Sequence, residues 1–195
     1  CRRVYAGNEL ALRDIEKFER EYDKRRATWW YTRDSFVYRM LNQSLRTHDI
    51  DVINKFGFFI KDLHEQLEML QVTLPTENFI VYRGQRSVSR IILRLDVICC
   101  SMSNDEFAQL KNNVGGLIAF NSFLSTSADP GVSLSFASTA SADPHMTGVL
   151  YVIYVDLALL TTPIAFLDER FSHFQGEQEY LWGMNAVFRI SHIRQ

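Results

Sequence analysis

The chain has 195 residues, 47% of them hydrophobic and 13% aromatic, with 21 basic and 23 acidic side chains and a formal net charge of −2. That is apolar enough for a packed core and excludes a disordered tail. It lacks the basic excess that draws a protein to nucleic acid, so no nucleic-acid partner is expected.

The cysteines Cys1, Cys99 and Cys100 are odd in number and two are adjacent, which disfavours a disulfide-stapled secreted module and favours a reducing, cytoplasmic compartment. No CxxC pair or Cys/His spacing suggests zinc, and no metal is expected. No apolar run reaches the roughly 18 residues that span a bilayer, so no membrane partner is evident. The opening Cys1-Arg2-Arg3-Val4-Tyr5 has no apolar core of a signal peptide behind it. A chain that starts on cysteine is expected to have been cut or processed from a longer one.

The first third reads as helical. Leu10, Leu12, Ile15, Phe18 and Tyr22 fall near the three-to-four spacing of one buried face, within a helix expected over 9–30. Phe36, Val37, Met40, Leu41 and Leu45 repeat the pattern over 34–46, and Ile53, Phe56, Ile60, Leu63, Leu67 and Leu70 over 49–70. The Leu74-Pro75 step ends the last stretch, because a residue before proline avoids the helical region.

Beyond Pro75 the texture changes to short β-branched or aromatic runs, read as strands at 79–82, 120–126, 148–155 and 186–190. One helix is expected over 103–112, with Ser103 and Glu106 placed as a capping box. The stretch 128–147 reads mostly as loop with a short helix near 132–137. The fold class expected is α+β: a helical N-terminal lobe over 1–74, then a compact, mostly antiparallel β core over 75–195.

Three places in the β part carry more polarity than strand packing requires. Tyr82-Arg83-Gly84-Gln85 closes a strand with a guanidinium suited to phosphate oxygens and a glycine that permits close backbone approach. A strand-end arginine paired with a surface carboxylate would look the same. Ser125-Thr126-Ser127 puts hydroxyls directly behind an apolar strand, for turn chemistry or for a ligand's sugar and amide. Gly176-Glu177-Gln178-Glu179 leads into Tyr180-Leu181-Trp182. If that segment is extended, a period of two puts Glu177 and Glu179 on one face. Like charges there suit a stabilised cation and a proton acceptor, and equally a solvated edge strand.

Taken in order, Val81-Tyr82-Arg83-Gly84-Gln85, Phe120-Asn121-Ser122-Phe123-Leu124-Ser125-Thr126-Ser127 and Glu177-Gln178-Glu179-Tyr180-Leu181-Trp182 form a constellation that resembles the Arg–Ser–Glu pattern of the arginine-specific mono-ADP-ribosyltransferases, of clostridial-toxin and animal ecto-enzyme type. The resemblance covers about residues 75–194, with the preceding helices similar only in kind. It implies an NAD-binding core of two packed sheets and transfer of ADP-ribose from NAD, the co-substrate, to an accessible arginine of a protein.

By the same resemblance, Arg83, with Gly84 and Gln85 beside it, clamps the pyrophosphate. Ser125 holds the nicotinamide ribose and orients Glu179, with Thr126 and Ser127 supporting that strand. Glu179 stabilises the positive centre that forms as nicotinamide leaves, as the chemistry independently requires. Glu177 positions and deprotonates the acceptor guanidinium. Phe136 matches the aromatic beside nicotinamide, and the loop 168–176, with Phe171 and Phe174, recognises the acceptor. For these three phenylalanines ordinary burial stays open. His145 and His173 have no expected part.

Relatives have a short link where this chain carries the apolar stretch 87–101. That stretch is read either as an inserted strand or helix, or as a product of imperfect gene prediction, with the second preferred; an insertion would disturb Arg83. Alternatives to the transferase are an NAD glycohydrolase, a degenerate module that binds NAD or a partner, and a structural helical–β interaction domain.

Overall fold

The structure is a computed structural model that describes residues 1–2, 4–33, 35–85, 90–94, 102–138, 146–173, 176 and 178–194. Glu177, Phe174 and His145 fall outside the described residues, as do the side chains of Gln85, Phe136, Ser103 and Glu106.

The helical lobe is more finely divided than hydrophobic spacing suggests. The stretch expected as one helix over 9–30 is α1 (Glu9–Glu21), a 3₁₀ turn at Lys24–Arg26 and α2 (Ala27–Thr32). Asp23 makes the break: its backbone is extended and its carboxylate accepts from the Arg25 amide, an interaction that competes with helix continuation. After α3 (Phe36–Thr47), the stretch 49–70 splits into α4 (Ile50–Lys55) and α5 (Gly57–Leu70), separated at Phe56 with φ −89° and ψ 2°. Leu74 is extended before Pro75, as expected.

The remaining elements are β1 (Phe79–Gln85), β2 (Arg90–Arg94), β3 (Met102–Ser103), α6 (Asn104–Asn112), β4 (Leu117–Phe120), β5 (Leu124–Ser127), α7 (Pro130–Ser138), β6 (Met146–Val155), β7 (Ile164–Leu167), β8 (Glu179–Trp182), β9 (Ala186–Arg189) and β10 (His192–Arg194). Strand order in the large sheet is β10-β2-β6-β1-β5-β8-β7, with β3 against β6, while β4 and β9 form a second, two-stranded sheet. The class is α+β with two sheets, as expected.

Several details differ from the sequence reading. The run 120–126 is two strands, with β4 pairing β9 in the small sheet and β5 pairing β1 and β8 in the large one. The loop expected over 128–147 holds a nine-residue α7, begun at Pro130, where a missing amide costs nothing. The Asp129 carboxylate accepts from the Gly131 amide at 2.7 Å at its start. Within the 87–101 stretch, residues 90–94 are a strand, parallel to β6 and antiparallel to β10. Among the described residues the other strand pairs are antiparallel.

Two apolar clusters flank the central strands. One holds Val81, Leu124, Tyr151, Ile153, Tyr180 and Trp182 from the large sheet with Phe120, Ala186 and Phe188 from the small one. The other buries Phe18, Trp30, Leu41, Phe59 and Leu67 of the helical lobe against Phe123, Ala165, Leu167 and Leu181. The Tyr31 hydroxyl crosses this boundary, its one proton shared between Asn42 Oδ1 at 3.0 Å and the Phe123 carbonyl at 3.3 Å.

Candidate active site

β5 and β8 run antiparallel with Ser127 opposite Glu179, Thr126 opposite Tyr180 and Ser125 opposite Leu181. Directly opposed residues share a face, and so do residues two apart, so Ser125, Ser127 and Glu179 lie on the same side of the sheet. From there Ser125 Oγ donates to Glu179 Oε1 at 2.6 Å. Glu179 is buried, 5% exposed, a position a charged carboxylate keeps only when its oxygens are hydrogen-bonded.

The second carboxylate oxygen is met by a residue that strand periodicity and motif spacing pass over. Ser172 Oγ, on a side chain 2% exposed, donates to Glu179 Oε2 at 2.9 Å. Ser172 lies in the connection between β7 and β8, where Phe171 and Ser172 both donate backbone amides to the Asp168 carbonyl at 2.9 Å. Arg170 reaches back to the Asp168 carboxylate with Nε and Nη2, the latter at 2.6 Å, and holds that carboxyl below its ordinary value.

The Arg83 guanidinium donates to the main-chain carbonyl of Ser125. The fold thus brings Arg83, Ser125 and Glu179 together from β1, β5 and β8, with Ser172 as a fourth member. Gly84, the next residue along β1, is needed by packing: a Cβ there would lie 1.4 Å from the Ser133 carbonyl oxygen of α7. The close approach that glycine permits at this position is to the backbone of a helix.

Thr126 and Ser127 are both buried, and their hydroxyls bind within the fold. Thr126 Oγ1 donates to the Tyr180 carbonyl at 2.9 Å and accepts from Trp182 Nε1 at 3.3 Å, locking β5 to β8. Ser127 Oγ accepts from the Asp129 amide at 2.9 Å and so shapes the entry to α7.

The expected pairing of Glu177 with Glu179 on one face rested on unbroken extended geometry. Gly176 has φ 86° and Gln178 φ 45°, so the alternation is interrupted between the two glutamates. Strand geometry begins only at Glu179.

In the preceding connection Phe171 is half-buried against the helical-lobe cluster, with the Arg170 guanidinium 5.3 Å from its ring centre. The His173 amide donates to Thr32 Oγ1 at 2.9 Å, and its ring stands edge-on to Trp29 at 5.4 Å. Phe136 lies in α7. A cavity of about 440 Å³ beside Leu117, Tyr154, Trp182 and Phe188 includes none of Arg83, Ser125, Ser172 or Glu179. Among the described residues no three His, Cys, Asp or Glu side chains gather as a metal-ligand set.

Solved ADP-ribosyltransferases share this arrangement of elements. The chain is similar to Vis, an ADP-ribosyltransferase toxin of Vibrio splendidus solved with agmatine, at 17% identity and a TM-score of 0.59 over 97% of this chain and 80% of that one. It is similar to the Paenibacillus larvae ADP-ribosyltransferase toxin Plx2a at 19% identity and a TM-score of 0.58, over 94% of this chain and 84% of that one. It is also similar to the Clostridium limosum C3 exoenzyme at 18% identity and a TM-score of 0.53, over 94% and 83%. No protein-family model and no curated protein sequence matches the chain. At these identities the likeness establishes the fold, which is that of the ADP-ribosyltransferases.

Proposed function

We propose that this chain, built on the ADP-ribosyltransferase fold, cleaves the nicotinamide–ribose bond of NAD and transfers ADP-ribose to an arginine side chain of a protein. The observation that carries this reading is the buried Glu179 carboxylate, fixed by Ser125 Oγ at 2.6 Å, with the Arg83 guanidinium tethered to the same serine.

The donor set suits a dinucleotide: a permanent cation for phosphate oxygens, with a hydroxyl and a carboxylate for a ribose. In this reading Arg83 holds the pyrophosphate, with Gly84 and Gln85 beside it. Ser125 orients Glu179 and reaches the nicotinamide ribose, on a strand secured by Thr126 and Ser127. Glu179 stabilises the positive charge that develops at the anomeric carbon as nicotinamide departs, the role of a preplaced carboxylate in glycosyl transfer. Glu177 orients the acceptor guanidinium and takes its proton, Phe136 flanks nicotinamide, and residues 168–176 meet the protein substrate. Arginine as acceptor is supported by the Glu177-x-Glu179 spacing and by agmatine, itself a guanidine, in the Vis complex.

The test is incubation with labelled NAD and agmatine, measuring labelled acceptor and released nicotinamide. The wild-type chain is expected to yield both. Arg83→Ala is expected to raise KM for NAD about tenfold or more, the effect of losing a charge-assisted phosphate contact. A wild type that neither binds NAD nor releases nicotinamide would sink the proposal. Free ADP-ribose without labelled agmatine would make the chain an NAD glycohydrolase. Glu177→Gln separates the two activities: transfer to agmatine is expected to disappear while much of the NAD hydrolysis remains. Equal loss of both would overturn the division of roles between the glutamates.

A further inference from the structure

A glutamate carboxylate held through one oxygen still turns about its terminal torsion, which is broad and roughly two-fold. Here both oxygens are held, and from two separate parts of the fold. Ser125 on β5 takes Oε1 at 2.6 Å, and Ser172, in the β7–β8 connection, takes Oε2 at 2.9 Å. Two hydrogen bonds on opposite oxygens fix the plane of the carboxylate as well as its position. That plane decides which lone pair faces a ribose hydroxyl and how the charge lies against a cation forming beside it.

Ser172 is itself held by the helical lobe. The amide of the next residue, His173, donates to Thr32 Oγ1 at 2.9 Å, and the His173 ring meets the Trp29 ring edge-on at an interplanar angle of 86°. Trp29 lies under the Arg26 guanidinium at 4.5 Å. On the other side of Ser172, the one-turn structure on the Asp168 carbonyl sets the direction of its backbone. The path from α2 through Thr32 and His173 to Ser172 and Glu179 is therefore continuous.

We propose that Ser172 is a second positioning residue for Glu179, complementary to Ser125, and that Thr32 of the helical lobe keeps it in place. The inference rests on the reading of Glu179 as the carboxylate that stabilises the departing-nicotinamide transition state. It adds a function to α2, which then supports the reacting carboxylate through a contact 141 residues away in sequence. A serine that only satisfied a buried carboxylate would affect stability and leave turnover intact.

The experiment measures nicotinamide release at saturating NAD, NAD affinity by calorimetry and thermal unfolding for Ser172→Ala, Ser172→Thr, Thr32→Val and Thr32→Ser. Ser172→Ala is expected to lower kcat about tenfold with NAD affinity within about threefold of wild type, because the lost contact acts on carboxylate orientation. Ser172→Thr, which keeps the hydroxyl, is expected to restore most of kcat. Thr32→Val is expected to lower kcat by a smaller factor, about threefold, and Thr32→Ser to recover it. Turnover by Ser172→Ala within twofold of wild type overturns the proposal. So does a kcat loss matched by equal loss of NAD affinity and unrelieved by threonine. If Ser172→Ala does not fold, the Thr32 pair decides, and equal kcat in Thr32→Val and Thr32→Ser overturns the proposal. An inactive Glu179→Gln beside an unaffected Ser172→Ala refutes this inference alone. A fully active Glu179→Gln, or a wild type that releases no nicotinamide, refutes the reading of the site on which it stands.

Discussion

Glu179→Gln is expected to lower nicotinamide release about a thousandfold while leaving the melting temperature unchanged or raised. Glutamine has the same shape, so β8 and the contacts of Tyr180, Leu181 and Trp182 persist. The charge is lost. A preorganised charge in a site shielded from water is worth several kcal/mol to a transition state, and about 4 kcal/mol corresponds to three decades of rate. Stability moves the other way because the carboxylate of Glu179, a residue 5% exposed, carries a desolvation cost that the neutral amide does not. The Ser125 hydroxyl can still donate to the amide oxygen, leaving the Ser172 hydroxyl facing an amide nitrogen. Single-turnover kinetics alongside thermal unfolding checks both halves. A variant that loses its fold together with its activity would make Glu179 a structural residue.

Gly84→Ala is expected to destabilise the protein by about 3 kcal/mol or more and to weaken NAD binding along with it. The new methyl would lie 1.4 Å from the Ser133 carbonyl oxygen, 2.4 Å from its carbonyl carbon and 3.0 Å from its Cα. All three are backbone atoms of α7, so no rotamer change relieves the overlap. α7 must move about 2 Å to regain ordinary van der Waals contact. That motion separates the helix from β1 directly beside Arg83. For a chain of this size the melting temperature should fall by about 10 °C. Gly57→Ala is the matched control. A Cβ there meets nothing within 4 Å, and the substitution should be neutral or stabilising by a few tenths of a kcal/mol. Similar melting temperatures for both variants would show that α7 does not pack on β1 as described.

The candidate site was legible in the sequence where its residues sit on strands. Arg83, Ser125 and Glu179 each close or open an apolar run and so stand out as polar positions, the family resemblance joins them as one set, and their meeting follows from the β5–β8 register and the Arg83 contact to the Ser125 carbonyl. Ser172 was not legible. It lies in a stretch of Ser, His, Phe and Gln with no period, and its partners depend on a turn closed by Asp168 and on Thr32 from the far end of the chain. Periodicity also misplaced boundaries where local chemistry decides them. The Asp23 carboxylate interrupts the apolar stripe of 9–30. The single apolar run of 120–126 is divided because β9 and β8 offer it partners in different sheets. The short strands β7 and β10 gave too little pattern to be seen, and their pairing is fixed by neighbours distant in sequence.

β8 belongs to both interiors, as does its neighbour β7. β8 sends Tyr180 and Trp182 into the cluster shared with the small sheet and Leu181 into the cluster shared with the helical lobe. Melting either cluster strips one face of β8, and a strand buried on all four residues does not outlive the loss of a face. The two interiors therefore behave as one cooperative unit, and unfolding has no stopping point at which the lobe is gone and the strand persists. Glu179 rides on a strand that both halves must keep, so the carboxylate is in place whenever the protein is folded at all.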